Sequence, residues 1–158
     1  EYFTELTERL SNKYNFIKFI FIGSKEEQEY VKTVTNSIKN QKQNIIDISG
    51  KIDLHELAFL LKKSLFLVTN DYGPMHLASL LSIPTFSFFG PETPQLFAPI
   101  GDFHKIFYKN IYCSPCHNIY NSKIHKCTND NLCLREIKVD EAYLEIDNYL
   151  GKIFKNEH

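Results

Sequence analysis

Apolar positions along this chain come in short blocks, and their spacing switches repeatedly between two periods. Phe3, Leu6 and Leu10 recur at helical spacing, which predicts an amphipathic helix over residues 2–12. Residues 17–22 (IKFIFI) are instead a run of β-branched and aromatic side chains ending at Gly23, the pattern of a buried strand. Tyr30, Val31, Val34 and Ile38 restore the helical period over residues 26–40. Asn44-Ile45-Ile46-Asp47-Ile48 predicts a second strand, closed by Ser49-Gly50. Asp53 is placed to cap a helix carrying Leu54, Leu57, Leu60 and Leu61, with Glu56 three residues after the cap. Residues 65–69 predict a third strand, 74–81 a helix and 85–89 a fourth strand.

Strands that are apolar throughout, alternating with helices, imply a parallel sheet covered on both faces. The expected class is therefore α/β and Rossmann-like, with its core in residues 1–101. After Gly90 the rhythm breaks. Residues 91–136 are rich in Pro, Asn and Cys, and 102–136 are expected to form an irregular excursion. Helical spacing returns at 139–155, with Asp140 as the expected cap, so 137–158 is assigned to a C-terminal helix. A single domain over residues 1–158 suits the length.

Composition narrows the function classes. Apolar residues are 43% and aromatics 14%, enough for a packed core. The formal net charge of −1 is dispersed, so there is no basic field for nucleic acid. No run approaches the ~20 apolar residues of a membrane span, and nothing resembles a secretory signal. A cytoplasmic location is the expectation. The chain opens Glu1-Tyr2-Phe3 inside a predicted helix, which reads as part of a longer protein.

The densest chemistry lies where the third strand gives way to a helix, in Asn70-Asp71-Tyr72-Gly73-Pro74-Met75-His76. Gly73 permits a positive φ and close approach of another group. Pro74 suits the start of a helix, where its missing N–H is no loss. The free N–H groups and positive dipole end there form an anion site, to which His76 can add a donor. Asp71 would repel a bound phosphate, so it is better used orienting amides or accepting from a sugar hydroxyl. Taken singly, each has a plain structural use: Asp71 as an N-cap, Gly73-Pro74 as a turn, His76 as an ordinary histidine.

The same stretch, continued by Leu77-Ala78, Ile83-Pro84-Thr85 and Phe89-Gly90-Pro91, resembles the signature of glycosyltransferase family 9, the ADP-heptose:lipopolysaccharide heptosyltransferases. The likeness continues upstream in Gly23-Ser24-Lys25-Glu26-Glu27 and in Gly50-Lys51-Ile52-Asp53-Leu54-His55-Glu56-Leu57. It continues downstream in Pro99-Ile100-Gly101 and Cys113-Ser114-Pro115-Cys116.

The resemblance implies a GT-B enzyme of two Rossmann-like domains, this chain corresponding to the C-terminal, donor-binding one. The N-terminal domain, with the acceptor site and the catalytic aspartate, falls outside this sequence. Asp71, Tyr72, Gly73 and His76 would then surround the diphosphate and sugar. Glu27 would contact the ribose, as a carboxylate following a strand can, and Ile52 would wall the base. Glu27 as a solvated glutamate and Ile52 as a core residue are the plain alternatives. The family usually has Ser or Thr where this chain has Tyr72, whose side chain is too long for the same contact although its backbone N–H can serve.

The implied reaction is inverting transfer of heptose from ADP-heptose to the lipopolysaccharide inner core. His76 would stabilise the leaving diphosphate while a base acts from the other domain. No Asp-x-Asp motif is present, so a metal-independent mechanism is expected. The lipid-linked acceptor implies peripheral contact with the inner face of a bacterial inner membrane. A nucleotide-sugar-binding domain without transferase activity is one alternative, and a zinc-stabilised interaction module another.

All the cysteines fall in one segment, as Cys113-x2-Cys116-x10-Cys127-x5-Cys133. This spacing can build a tetrahedral thiolate site for a structural zinc, with His117 and His125 as substitute ligands. An all-Cys site leaves no open coordination position for chemistry. Reduced thiols and crosslinked ones are the other uses, disulfides being the less expected in a cytoplasmic protein.

Overall fold

The computed structural model describes residues 2–117 and 126–155. Its elements run α1 (Tyr2–Lys13), β1 (Phe19–Phe21), α2 (Gln28–Ser37), β2 (Ile45–Asp47), α3 (Leu54–Lys62) and β3 (Leu67–Asn70). They continue with α4 (Gly73–Leu80), β4 (Thr85–Phe89), α5 (Pro94–Phe97), β5 (His104–Tyr108), α6 (Leu132–Arg135) and α7 (Val139–Lys155). The chain divides into two compact units, Glu1–Glu56 with Val139–His158, and Leu57–Lys138.

In the first unit β1 and β2 pair in parallel, Phe19 opposite Ile45 and Phe21 opposite Asp47. The predicted stripe of α1 is real: Leu6 and Leu10 are buried, and α1 packs against α7, which buries Ala142, Ile146 and Leu150. The polar edge of that packing is ionic. Arg9 donates to Asp140 at 2.6 Å and lies over the Tyr143 ring. Lys13 spans the two carboxylate oxygens of Asp147 at 2.6 and 2.8 Å, and the Tyr14 hydroxyl donates to the same group at 2.7 Å. These bonds, Lys13 first, hold the Asp147 carboxyl below the ordinary aspartate value. Asp140 is not the cap that the spacing predicts. The helix begins one residue earlier, at Val139, so Asp140 stands inside the first turn, where its charge suits the positive helix end.

In the second unit β3, β4 and β5 form a parallel sheet with β4 in the middle. Every residue of β4 is buried, as its apolar run TFSFF demands. Its polar members are satisfied internally: Thr85 Oγ1 pairs with His104 Nδ1 at 2.9 Å, and Ser87 donates to Thr85. Phe88 stacks on Phe107 with ring centroids 5.0 Å apart. Helix α4 packs on β3 and β4 and buries Met75 and Ala78 completely.

Two expectations change. Strand β5 lies inside residues 102–136, which the sequence marks as irregular. Among the described residues it pairs with β4 alone, and only Phe107 of its five residues is buried, so this edge strand lacks the continuous apolar run of a central one. The strands also make two ladders, β1–β2 and β3–β4–β5, where a single sheet is expected. An apolar run specifies an extended buried segment, not the neighbour with which it pairs. Both ladders are parallel and interleaved with helices, so the α/β class holds.

Candidate functional site

The turn from β3 into α4 is pinned by the sheet. The Asp71 N–H donates to the Phe88 carbonyl at 3.1 Å, adding a bond just past the end of β3. Tyr72 is then extended (φ −152°, ψ 168°) and is the N-cap of α4, but its side chain makes no capping bond. The cap is thus Tyr72 rather than Asp71, and the tyrosine ring lies 65% exposed. The Tyr72 carbonyl accepts from Met75 N–H at 2.9 Å, and Pro74 has no N–H to satisfy.

Gly73 does not take the positive φ that its identity allows. What it supplies is space, since a Cβ there would meet nothing within 4 Å. His76, one turn into the helix, is exposed at the same end. Asp71, Tyr72, Gly73 and His76 are therefore brought together at the carboxyl end of β3, at a helix N-terminus whose cap residue makes no side-chain capping bond and with open space beside Gly73. Such an end can receive an anion through N–H groups and the helix dipole.

Glu27 and Ile52 belong to the first unit. Glu27 is the N-cap residue of α2, four residues past Gly23, and its Oε2 accepts the Ser24 N–H at 2.8 Å. That bond holds an exposed carboxylate at the carboxyl end of β1. Ile52 is half-buried and follows Gly50 beyond β2.

The two loops are tied side by side: Gly50 N–H donates to the Gly23 carbonyl at 2.8 Å, and Gln28 Nε2 to the Ser49 carbonyl at 2.8 Å. Gly50 here does need its positive φ of +64°, and the Gln28 side chain fills the place where a Cβ would stand. Gln28 has no signal in the sequence, because a polar residue on a helix's first turn looks like any solvated one. Asp53 caps α3 as expected: its Oδ1 accepts from His55 and Glu56 N–H, while Glu56 returns to the Asp53 N–H.

The cysteines gather in the second unit. Cys113, Cys116, Cys127 and Cys133 line one cavity of about 190 Å³ together with Pro91, His117, Asn131 and Leu132. None of the four is joined in a disulfide. Burial pushes the Cys116 and Cys133 thiols up, and their neighbours in the cavity add to it. Among the described residues, no three His, Cys, Asp or Glu side chains are grouped closely enough to hold a metal ion as they stand. His125 lies outside the described residues. A larger open groove of about 440 Å³ runs between α1 and α2 past Glu5, Glu8, Tyr30 and Val34, away from the strand ends.

Parallel strands interleaved with helices, with helix N-termini at the carboxyl ends of the strands, make this an α/β protein of Rossmann-like type. The sequence profile of glycosyltransferase family 9 (heptosyltransferase) matches residues 1–126, and the chain belongs to that family. Lipooligosaccharide heptosyltransferase 2 of Campylobacter jejuni is 25% identical over 99% of this chain and 46% of its own length. Lipopolysaccharide heptosyltransferase 2 of Salmonella typhimurium is 27% identical over 63% of this chain and 28% of its own.

Among solved structures, E. coli ADP-heptose lps heptosyltransferase II superposes with a TM-score of 0.76 at 19% identity, over 99% of this chain and 42% of that one. The glycosyl transferase family 9 protein of Veillonella parvula gives 0.71 at 20% identity, over 94% and 41%. The chain thus spans less than half the length of these relatives.

Proposed function

We propose that this chain is the donor-binding part of a heptosyltransferase, holding ADP-heptose or a closely related nucleotide sugar for inverting, metal-independent transfer to a lipopolysaccharide core acceptor. The observation that carries the reading is the N-terminus of α4, where Tyr72 makes no side-chain capping bond, with open space at Gly73 and His76 exposed beside it. Membership of glycosyltransferase family 9 and the likeness to heptosyltransferases from several bacteria support it.

In this reading the N–H groups of the α4 end and His76 bind the donor's diphosphate. As the bond to the anomeric carbon breaks, negative charge grows on that diphosphate, and fixed donors aimed at it lower the barrier. Tyr72 contributes through its backbone and Asp71 through the sugar hydroxyls. Glu27 accepts a ribose hydroxyl, its Oε2 already held by Ser24 N–H, and Ile52 gives the base an apolar wall. The acceptor and the base that deprotonates it belong to a part of the enzyme outside this chain, so the donor domain alone binds without turning over. The acceptor's lipid implies work in the cytoplasm at the inner membrane face. No helix among the described residues is long and apolar enough to cross a membrane.

Calorimetric titration with ADP, ADP-heptose and UDP tests the reading. Adenine-selective binding, weakened by His76→Ala and by Glu27→Ala, is the expected result. A folded chain that binds none of the three, or binds UDP as well as ADP, overturns it.

A further inference from the structure

The donor reading leaves the cysteine segment without a role. Its four cysteines are spread over residues 113–133, yet they line one cavity. The segment is also tied to the end of the central strand. The Cys116 and His117 N–H groups both donate to the Pro91 carbonyl, at 2.9 and 2.8 Å, and the Ser114 hydroxyl donates to the Gly90 carbonyl. At Gly90 a Cβ would stand 3.2 Å from Cys133 Sγ and 2.6 Å from Leu134, so glycine is what lets α6 close against the strand end. Asn131 N–H donates to Cys127 Sγ at 3.2 Å. A backbone N–H on sulfur offsets charge on a thiolate, the outer-shell support that metal-bound groups receive.

We propose that Cys113, Cys116, Cys127 and Cys133 form a structural zinc site that clips the segment after β5 onto the carboxyl end of β4. The ligand class fits, because thiolates select zinc among common divalent ions and four of them complete a tetrahedron. The sulfurs stand too far apart to ligate as they are, so binding draws them inward to about 2.3 Å from the ion. Cys127 is the exposed member of the four. Each thiol releases its proton to solvent on binding. One Zn²⁺ and four thiolates leave a net charge of −2, with no oxidation and no vacant position for a substrate. The role is therefore architectural, and it stands or falls independently of nucleotide binding.

The test is zinc content by mass spectrometry on the full chain, purified without chelator from zinc-supplemented culture, followed by exchange for cobalt. About one zinc per chain is expected, with cobalt giving thiolate charge-transfer bands and the intense visible absorption of tetrahedral sites. Cys127→Ser, at the exposed corner, is expected to stay folded and to lower retained metal at least about tenfold. A folded, reduced wild-type chain that takes up neither zinc nor cobalt overturns the proposal. So does isolation of the chain with a disulfide between any two of these cysteines.

Discussion

The Asp71 N–H and the Phe88 carbonyl meet at 3.1 Å, so the turn that starts α4 is fastened to the most buried strand of the second unit. Residue 72 is the first to leave the ladder, and residue 73 begins the helix. The position of the helix end is therefore set by the sheet.

Gly73→Ala separates fold from binding. The added methyl meets nothing, and replacing a helical glycine removes unfolded-state freedom. Stability is expected to be unchanged or to rise by up to about 1 kcal/mol. Affinity for ADP is expected to fall about tenfold, because the methyl occupies the approach to the backbone, a loss of about 1.4 kcal/mol. Paired thermal melts and titrations check both halves, and an alanine variant that binds ADP normally removes Gly73 from the site.

Glu27→Gln tests the ribose contact without dismantling the loop. The amide oxygen can still accept the Ser24 N–H, so the fold should persist. Affinity for ADP is expected to drop by about 1–2 kcal/mol, as for a lost hydrogen bond to a charged group, while affinity for inorganic pyrophosphate is unchanged. Equal losses for both ligands would contradict a ribose role.

Asp53→Ala removes an acceptor shared by two backbone N–H groups at the start of α3. The expected cost is about 1 kcal/mol, read as a lowered urea midpoint with an unchanged slope. Asp53→Asn should recover most of it, since an amide oxygen also caps.

Acid should loosen the α1–α7 packing through Asp147. Its folded pKa lies below the ordinary value because Lys13 and then Tyr14 stabilise the carboxylate. The unfolded chain therefore binds this proton first as pH falls. The stabilisation is present above the ordinary aspartate pKa and disappears as pH drops through the lower folded value, below about pH 4. Asp147→Asn is expected to flatten this acid limb and to cost about 0.5–1 kcal/mol at neutral pH, in line with partly exposed ion pairs. Urea midpoints between pH 7 and 3 measure it, and parallel curves for both chains would contradict it.

What the sequence made legible was what local spacing controls. β4 appears at the residues its apolar run predicts, because all of its side chains are buried, and α3 starts at its capping box because two bonds close within four residues. β5 was hidden because His104 and Lys105 sit on an edge strand, where burial is partial. The Asp71–Phe88 bond and the Gln28–Ser49 bond were hidden for another reason. Each joins residues distant along the chain through backbone carbonyls, which leave no mark on residue type. Of the candidate residues, the four from 71 to 76 fall together because they share one turn. Of the two uses the sequence allowed Gly73, the left-handed backbone is not taken, and the open space beside the residue is present.

The carbonyls of Phe88 and Pro91 lie on one short stretch of backbone; the first holds the Asp71 amide, the second the amides of Cys116 and His117. Two separate turns thus hang from a single beam, so a change of backbone between residues 88 and 91 shifts both of them together.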